Sequence, residues 1–216
     1  MIDFYKTIAE PASGEFKDKG SKFIAFAHPI NDADEVPIIS DKLRKEHIKA
    51  RHFCYAWRLG VRNDAFRAND DGEPSGTAGK PILGQIDSFG VTNIAIIVVR
   101  YFGGTLLGTS GLIRAYREAA KTSLMQAIII EKFIEDTVSL KFDYTVMPQV
   151  MQAVKKENIV ITQQIFENDC ALLLKIRQSE TEMKLLRLKA HIGNISLEEA
   201  ATKKFSEWGI EASPLS

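Results

Sequence analysis

The sequence predicts an α+β fold in two domains, and three observations predict it. From residue 134 onward, strand and helix patterns follow one another in the order βαββαβ, the split βαβ, ferredoxin-like arrangement of two helices over one face of an antiparallel sheet. Ahead of it, residues 1–130 carry a different succession of strands and helices, interrupted by a loop too long to be an ordinary connection. At 216 residues the chain is long enough to bury a core in each half. The expected division is an N-terminal domain over 1–130, a C-terminal ferredoxin-like domain over 134–208, and a frayed tail over 209–216.

Taken in order, "FKDKGSKFIAFAHPI" reads as a strand after a glycine turn at Gly20, and "DADEVPIISDKLRKEHI" reads as a helix. Asp32 or Asp34 is its expected cap, with Ile38, Ile39, Leu43 and His47 on its buried face. "RHFCYAWRLGV" alternates as a strand, placing His52, Cys54 and Ala56 on one side and Phe53, Tyr55 and Trp57 on the other. Residues 62–81, "RNDAFRANDDGEPSGTAGKP", are too rich in Gly, Pro, Asn and Asp for a regular element. "ILGQIDSF" adds a short helix, and the β-branched run "NIAIIVVRYF" predicts a strand covered on both faces. In the helix "LIRAYREAAKTSLMQA", Leu112, Tyr116, Ala119, Ser123 and Leu124 line one side and Ser110 is the expected N-cap. The C-terminal pattern comprises the strand "DTVSLKFDY", a helix entered near Pro148, two strands around "ENDC", the helix "SETEMKLLRLKAHIG" and "NISLEEAATKKF", expected to end in a strand.

Composition narrows the function classes. Lys plus Arg and Asp plus Glu both number 28, and 45% of residues are apolar, as in ordinary globular proteins. No apolar stretch approaches the roughly 20 residues of a membrane span, and "MIDFYKTIAEP" lacks a signal-peptide pattern. The expectation is a cytoplasmic protein with no membrane partner, and its two cysteines, Cys54 and Cys170, are read as buried thiols. The histidines and cysteines show no zinc spacing, and neither a metal nor another cofactor is expected.

Two glycine-rich stretches carry the candidate chemistry. "GGTLLGTS" fits the phosphate-loop pattern GxxxxGK[ST] at Gly103 and Gly108, but Thr109 stands where the lysine belongs. That lysine places positive charge on the β- and γ-phosphates, so its absence argues against a nucleoside triphosphatase. Two readings stay open. In one, backbone amides at the helix start, with Gly103, Gly104, Gly108 and Ser110, bind a small anion helped by Arg100 and Arg114. In the other, the glycines only supply positive φ angles and close packing. "DDGEPSGTAGK" offers Asp70, Asp71, Glu73, Ser75, Thr77 and Lys80 for binding an anion, metal or partner backbone, although it is neither an EF-hand nor a phosphate loop. His52 and Cys54 share a strand face, so they point in parallel and are not placed for proton transfer. From Lys42 to Arg67, eight basic residues face only Glu46 and Asp64. With aromatics interleaved, Arg58, Arg62 and Arg67 are the candidate nucleic-acid contacts.

"DDGEPSGTAGKPIL", followed by "IIVVRYFGGTLLGTSGLIRAY" and preceded by "RHFCYAWRLG", resembles the IMPACT family in its bacterial YigZ-like branch. The resemblance covers most of residues 16–126 and extends to the C-terminal βαββαβ pattern. It implies an N-terminal domain like the second domain of ribosomal protein S5 and a C-terminal domain like the last domain of elongation factor G. It also implies a role in translational control, where the family's eukaryotic members act. The resulting expectation is a non-enzymatic translation-associated regulator whose partner is RNA, the ribosome or a translation factor. The alternatives are a protein or enzyme using a small phosphorylated ligand between the two glycine loops, and a protein-interaction adaptor.

Overall fold

The computed structural model describes residues 3–61, 65–166 and 170–215. It separates into two compact units, Phe4–Lys132 and Met1–Asp3 with Phe133–Ser216. The first contains β1 (Phe4–Ile8), β2 (Ala12–Asp18), β3 (Ser21–Pro29), α1 (Glu35–Glu46), β4 (His52–Leu59), β5 (Ala65–Asn69), α2 (Gly79–Phe89), β6 (Ile94–Tyr101), α3 (Gly108–Gln126) and all but the last residue of β7 (Ile129–Phe133). Five strands pair antiparallel in the order β2-β3-β6-β4-β5, and β1 pairs with β7 in a separate ribbon. Lys19 and Gly20, at φ 43° and 78°, close the β2–β3 hairpin in the paired left-handed conformation that suits strand twist.

The central strand β6 explains the long apolar run. Every residue from Ile94 to Val99 is fully buried. Ile94, Ile96 and Val98 pack with Ile82 and Ile86 of α2 and with Leu112, Tyr116 and Leu124 of α3. On the other face, Ile97 and Val99 pack with Leu43 of α1, and Ala95 packs with its Val36. A strand covered on both sides has no solvent face to fill with polar residues. Small residues let α3 approach the sheet: a Cβ on Gly14 of β2 would stand 2.4 Å from the Ser123 backbone nitrogen.

The second unit contains β8 (Glu135–Phe142), α4 (Met147–Lys156), β9 (Val160–Phe166), β10 (Cys170–Arg177), α5 (Thr181–Gly193), α6 (Leu197–Thr202) and β11 (Ile210–Leu215). Its antiparallel sheet has the order β11-β8-β10-β9. Val138, Leu140, Leu172 and Leu174 meet Val150 and Val154 of α4 and Leu188 and Ile192 of α5 in one core.

Four local expectations are corrected. The tail is not frayed: residues 210–215 form β11, paired with β8 from Ile210↔Phe142 to Leu215↔Thr137. "SLEEAAT" is a helix, α6, whose start is fixed by the reciprocal Ser196–Glu199 capping box. Residues 62–81 are not all irregular, since β5 pairs with β4 and α2 begins at Gly79. In α1, Ile38 is 71% exposed, while Val36, Ser40 and Leu43 are buried. At about 100° per residue Val36, Ile39, Ser40 and Leu43 share one side of the helix, and Ile38 falls on the opposite side.

The helix starts differ as well. Asp34 occupies the N-cap of α1 without a capping side-chain bond, and Asp32 instead accepts the Asp34 N–H at 2.8 Å. Helix α3 begins at Gly108, leaving Ser110 exposed inside the first turn with no capping bond.

Gly14→Ala is expected to lower unfolding stability by about 1–3 kcal/mol through backbone overpacking. Gly84→Ala is the contrast. Gly84 sits inside α2 with open space around its missing Cβ, and the change should raise stability by about 0.5–1 kcal/mol. Urea titration of both variants tests the pair.

Candidate functional site

The two glycine-rich stretches meet at a cleft in the N-terminal unit, and a buried ion pair joins them. Glu73, in the loop between β5 and α2, receives a hydrogen bond from Arg100 Nη1 at 2.5 Å. The two side chains are only 3% and 7% exposed. Tyr116 of α3 donates its hydroxyl proton to the same carboxylate oxygen at 2.7 Å. Cys54 of β4 follows, with its Sγ 3.2 Å from the Tyr116 hydroxyl and 3.0 Å from the Asp70 carbonyl. Its single proton can serve only one of these acceptors at a time. A loop, two neighbouring strands and a helix are thereby tied through one buried polar chain.

The other acidic residues of the loop also point inward. Asp70 accepts the backbone N–H groups of Gly76, Ala78 and Gly79 at 2.8, 3.0 and 2.8 Å. It therefore satisfies the start of α2 from eight and nine residues away in sequence. Burial alone would raise the Asp70 carboxyl, but these three donors outweigh it and hold the group below its ordinary value. Asp71 accepts the Phe53 N–H at 2.6 Å and both of its oxygens take Arg44 Nη2 at 2.9 Å. Thr77 is buried and donates to the Pro74 carbonyl at 2.6 Å. Ser75 and Lys80 are exposed.

The second stretch divides its roles. Gly103 lies against the β2–β3 hairpin, where a Cβ would stand 1.9 Å from the Gly20 carbonyl carbon. Its N–H donates to Ser21 Oγ at 3.1 Å. Gly104 and Gly108 have φ of 85° and 70° with open space beside them. Their need for glycine is thus conformational. Arg114 is turned to Asp18 at 2.6 Å.

Between the stretches lies a cavity of about 420 Å³, with walls that include Arg51, His52, Glu73, Arg100, Phe102 and Thr109. Arg51, Tyr116, Phe102 and Leu106 were not among the site residues expected from sequence. Tyr116 was visible only as a core residue of α3, and Phe102 and Leu106 only as apolar residues within a glycine turn.

Cys54 is unsuited to nucleophilic work. Burial pushes its thiol far above the ordinary range, and nearby carboxylates add to the shift against the opposing bond to Tyr116. Burial likewise drives the Tyr116 phenol upward. Among the described residues, no group of three or more His, Cys, Asp or Glu is placed to hold a metal ion. No helix among them is long and apolar enough to cross a membrane.

The candidate nucleic-acid residues are not gathered with this cleft. Arg58 is 14% exposed in its side chain, bonds Asp87 at 2.6–2.7 Å and lies over the Phe66 ring. Arg67 is exposed on the edge strand β5. Arg62 lies outside the described residues.

Residues 19–124, which hold every residue of this cleft, match the model of the Impact N-terminal domain. The IMPACT family member YvyE of Bacillus subtilis is 30% identical over 98% of this chain and 88% of its own length. The chain belongs to the IMPACT family. YigZ, the IMPACT family member of Escherichia coli, is 38% identical over 63% of this chain and 68% of its own. The crystal structure of a hypothetical protein is 26% identical, covers 100% of this chain and 99% of its own, and superimposes with a TM-score of 0.73. The glycine stretches of this IMPACT chain thus sit inside the matched domain, with Glu73 and Arg100 as the link between them.

Glu73→Ala should cost about 3–5 kcal/mol, because it leaves the Arg100 charge buried without its partner. Chemical denaturation of purified protein measures this. Asp70 provides a pH test. Its carboxyl is lowered in the folded state, so its stabilisation is present above the unfolded value of about 4 and is lost as pH falls through the depressed value. Asp70→Asn should therefore be less stable at pH 7 and lose less stability on acidification than the parent. Finally, both cysteines are fully buried, so a thiol-reactive disulfide reagent should label neither in the folded protein and both in urea.

Proposed function

We propose that this chain is a translation-associated regulator that acts by binding rather than by catalysis, its partner being RNA, the ribosome or a translation factor. Membership of the IMPACT family supports the translational setting, given the role of the family's eukaryotic members. One geometric observation carries the binding reading. The groups best suited to chemistry, Cys54, Tyr116 and Glu73, are spent on one another and on Arg100 inside the domain. Beside His52, whose Nδ1 pairs with the Asp71 carbonyl at 2.9 Å, the cleft presents Arg51 and the exposed side chains of Phe102 and Leu106, which suit recognition.

The basic stretch supports a nucleic-acid partner through a reduced set of cations. Arg44 is paired with Asp71 and Arg58 with Asp87. Arg51, just before β4, and Arg67, in the middle of β5 opposite Trp57, remain exposed and are better candidates for phosphate contact.

Co-sedimentation with purified ribosomes and gel shift with structured RNA, each at low and high salt, test this reading. Binding should weaken with salt, and Arg51→Ala plus Arg67→Ala should reduce the slope by about one per lost phosphate contact. Absence of association at low salt refutes it. Association that survives nuclease and salt alike assigns the partner to protein.

A further inference from the structure

The cleft between the glycine stretches is built in two halves, and each half calls for a different part of a ligand. The first half is cationic. Arg100 is 93% buried by side-chain accessibility; its Nη1 bonds Glu73, and its guanidinium carbon lies 5.5 and 5.6 Å from the centroids of the Phe23 and Phe102 rings. Its Nε is the buried side-chain nitrogen or oxygen left without a hydrogen-bond partner among the described residues. A guanidinium withdrawn from water normally fills its donors, so Arg100, although paired with Glu73, keeps an unfilled donor in the wall of the cavity it lines. Arg51 and His52 stand on the same wall.

The second observation is independent of Arg100. The start of α3, at Gly108 and Thr109, also lines the cavity, and no side chain caps it. A 19-residue helix brings its unpaired N–H groups and the positive end of its dipole to that point. Glu73 is the acidic residue in the cavity wall, and Arg100 and Tyr116 already occupy one of its oxygens. The field in the cleft therefore favours an anion.

The other half is apolar and open. Phe102 is 54% exposed and Leu106 is 82% exposed at the cavity's rim. An aromatic ring and a leucine left in solvent beside a buried arginine suit a planar body attached to the anionic group. The volume of about 420 Å³ lies in the usual range of roughly 300–1,000 Å³ for small-ligand sites.

We infer that this cleft is a receptor for a phosphomonoester joined to a nucleoside, its phosphate set toward Arg51, Arg100 and the start of α3 and its base against Phe102 and Leu106. Tetrahedral phosphate takes donors from several directions, as an arginine and a helix start supply them. A triphosphate is disfavoured because Thr109 replaces the lysine that would meet the outer phosphates. The same chemistry is carried by a free mononucleotide and by the 5′-phosphorylated end of an RNA strand. The RNA-end source rests on the translational reading above, and the free-nucleotide source does not.

Calorimetric titration of the full chain with AMP, GMP, CMP, UMP and inorganic phosphate tests the site. A short RNA bearing a 5′-phosphate, and the same RNA bearing a 5′-hydroxyl, form the second arm. The expected result is mononucleotide binding tighter than that of inorganic phosphate, or a preference of about tenfold for the 5′-phosphorylated RNA. Arg51→Ala should weaken the phosphate-dependent part. Phe102→Ala should weaken nucleotide binding toward that of inorganic phosphate. Both residues are exposed, so unchanged melting curves separate lost binding from lost folding.

The inference is overturned if no mononucleotide binds better than inorganic phosphate and the two RNAs also bind alike. Ribosome binding without any 5′-phosphate or nucleotide effect would overturn this site while sparing the translational reading. Mononucleotide binding without ribosome or RNA association would do the reverse.

Discussion

The buried contact between Glu73 and Arg100 is the constraint on which the N-terminal unit is arranged. Glu73 belongs to a loop and Arg100 to the end of the central strand, and their 2.5 Å contact locates a segment that has no ladder of its own. Burying two charges is costly, and the attraction offsets that cost only with good geometry and further hydrogen bonds. Tyr116 supplies one such bond and passes the network to Cys54. The loop, β6, α3 and β4 consequently have one mutually consistent arrangement.

The neighbouring carboxylates extend the same logic. Asp70 holds the entrance of α2 through three backbone amides, and Asp71 binds the β4 backbone and Arg44. A stretch with the composition of a flexible acidic loop is thus a hub whose charges are turned inward. The proposed binding role rests on what remains outside. Arg51, Phe102, Leu106 and the uncapped start of α3 surround the cavity, while Cys54 and Tyr116 are fully buried and do not line it.

Much of the secondary structure was legible because it rests on local periodicity. The β-branched run 94–99 announced a strand covered on both faces, and the apolar stripe of α3 announced its buried side; those residues are buried. The C-terminal strand–helix order was legible for the same reason, except at its last member. There the strand signal was assigned to residues before 208, whereas the Ser196–Glu199 capping box makes a helix and residues 210–215 form the strand. Strand formation by that tail depends on β8 as a partner. Nothing local in "IEASPL" specifies one.

The site was legible as two stretches and illegible as one place. By itself the sequence determined which residue types stood in the glycine-rich segments, where conformational freedom was required, and that Thr109 could not act as a phosphate-loop lysine. Only the tertiary structure decided that Glu73 meets Arg100 across 27 positions and Cys54 meets Tyr116 across 62. It also decided that Arg58 and Arg114 are occupied by Asp87 and Asp18. The physical reason is range: backbone propensity acts over a few neighbouring residues, whereas the worth of a charge depends on which partners folding brings within hydrogen-bonding distance and how much water it removes.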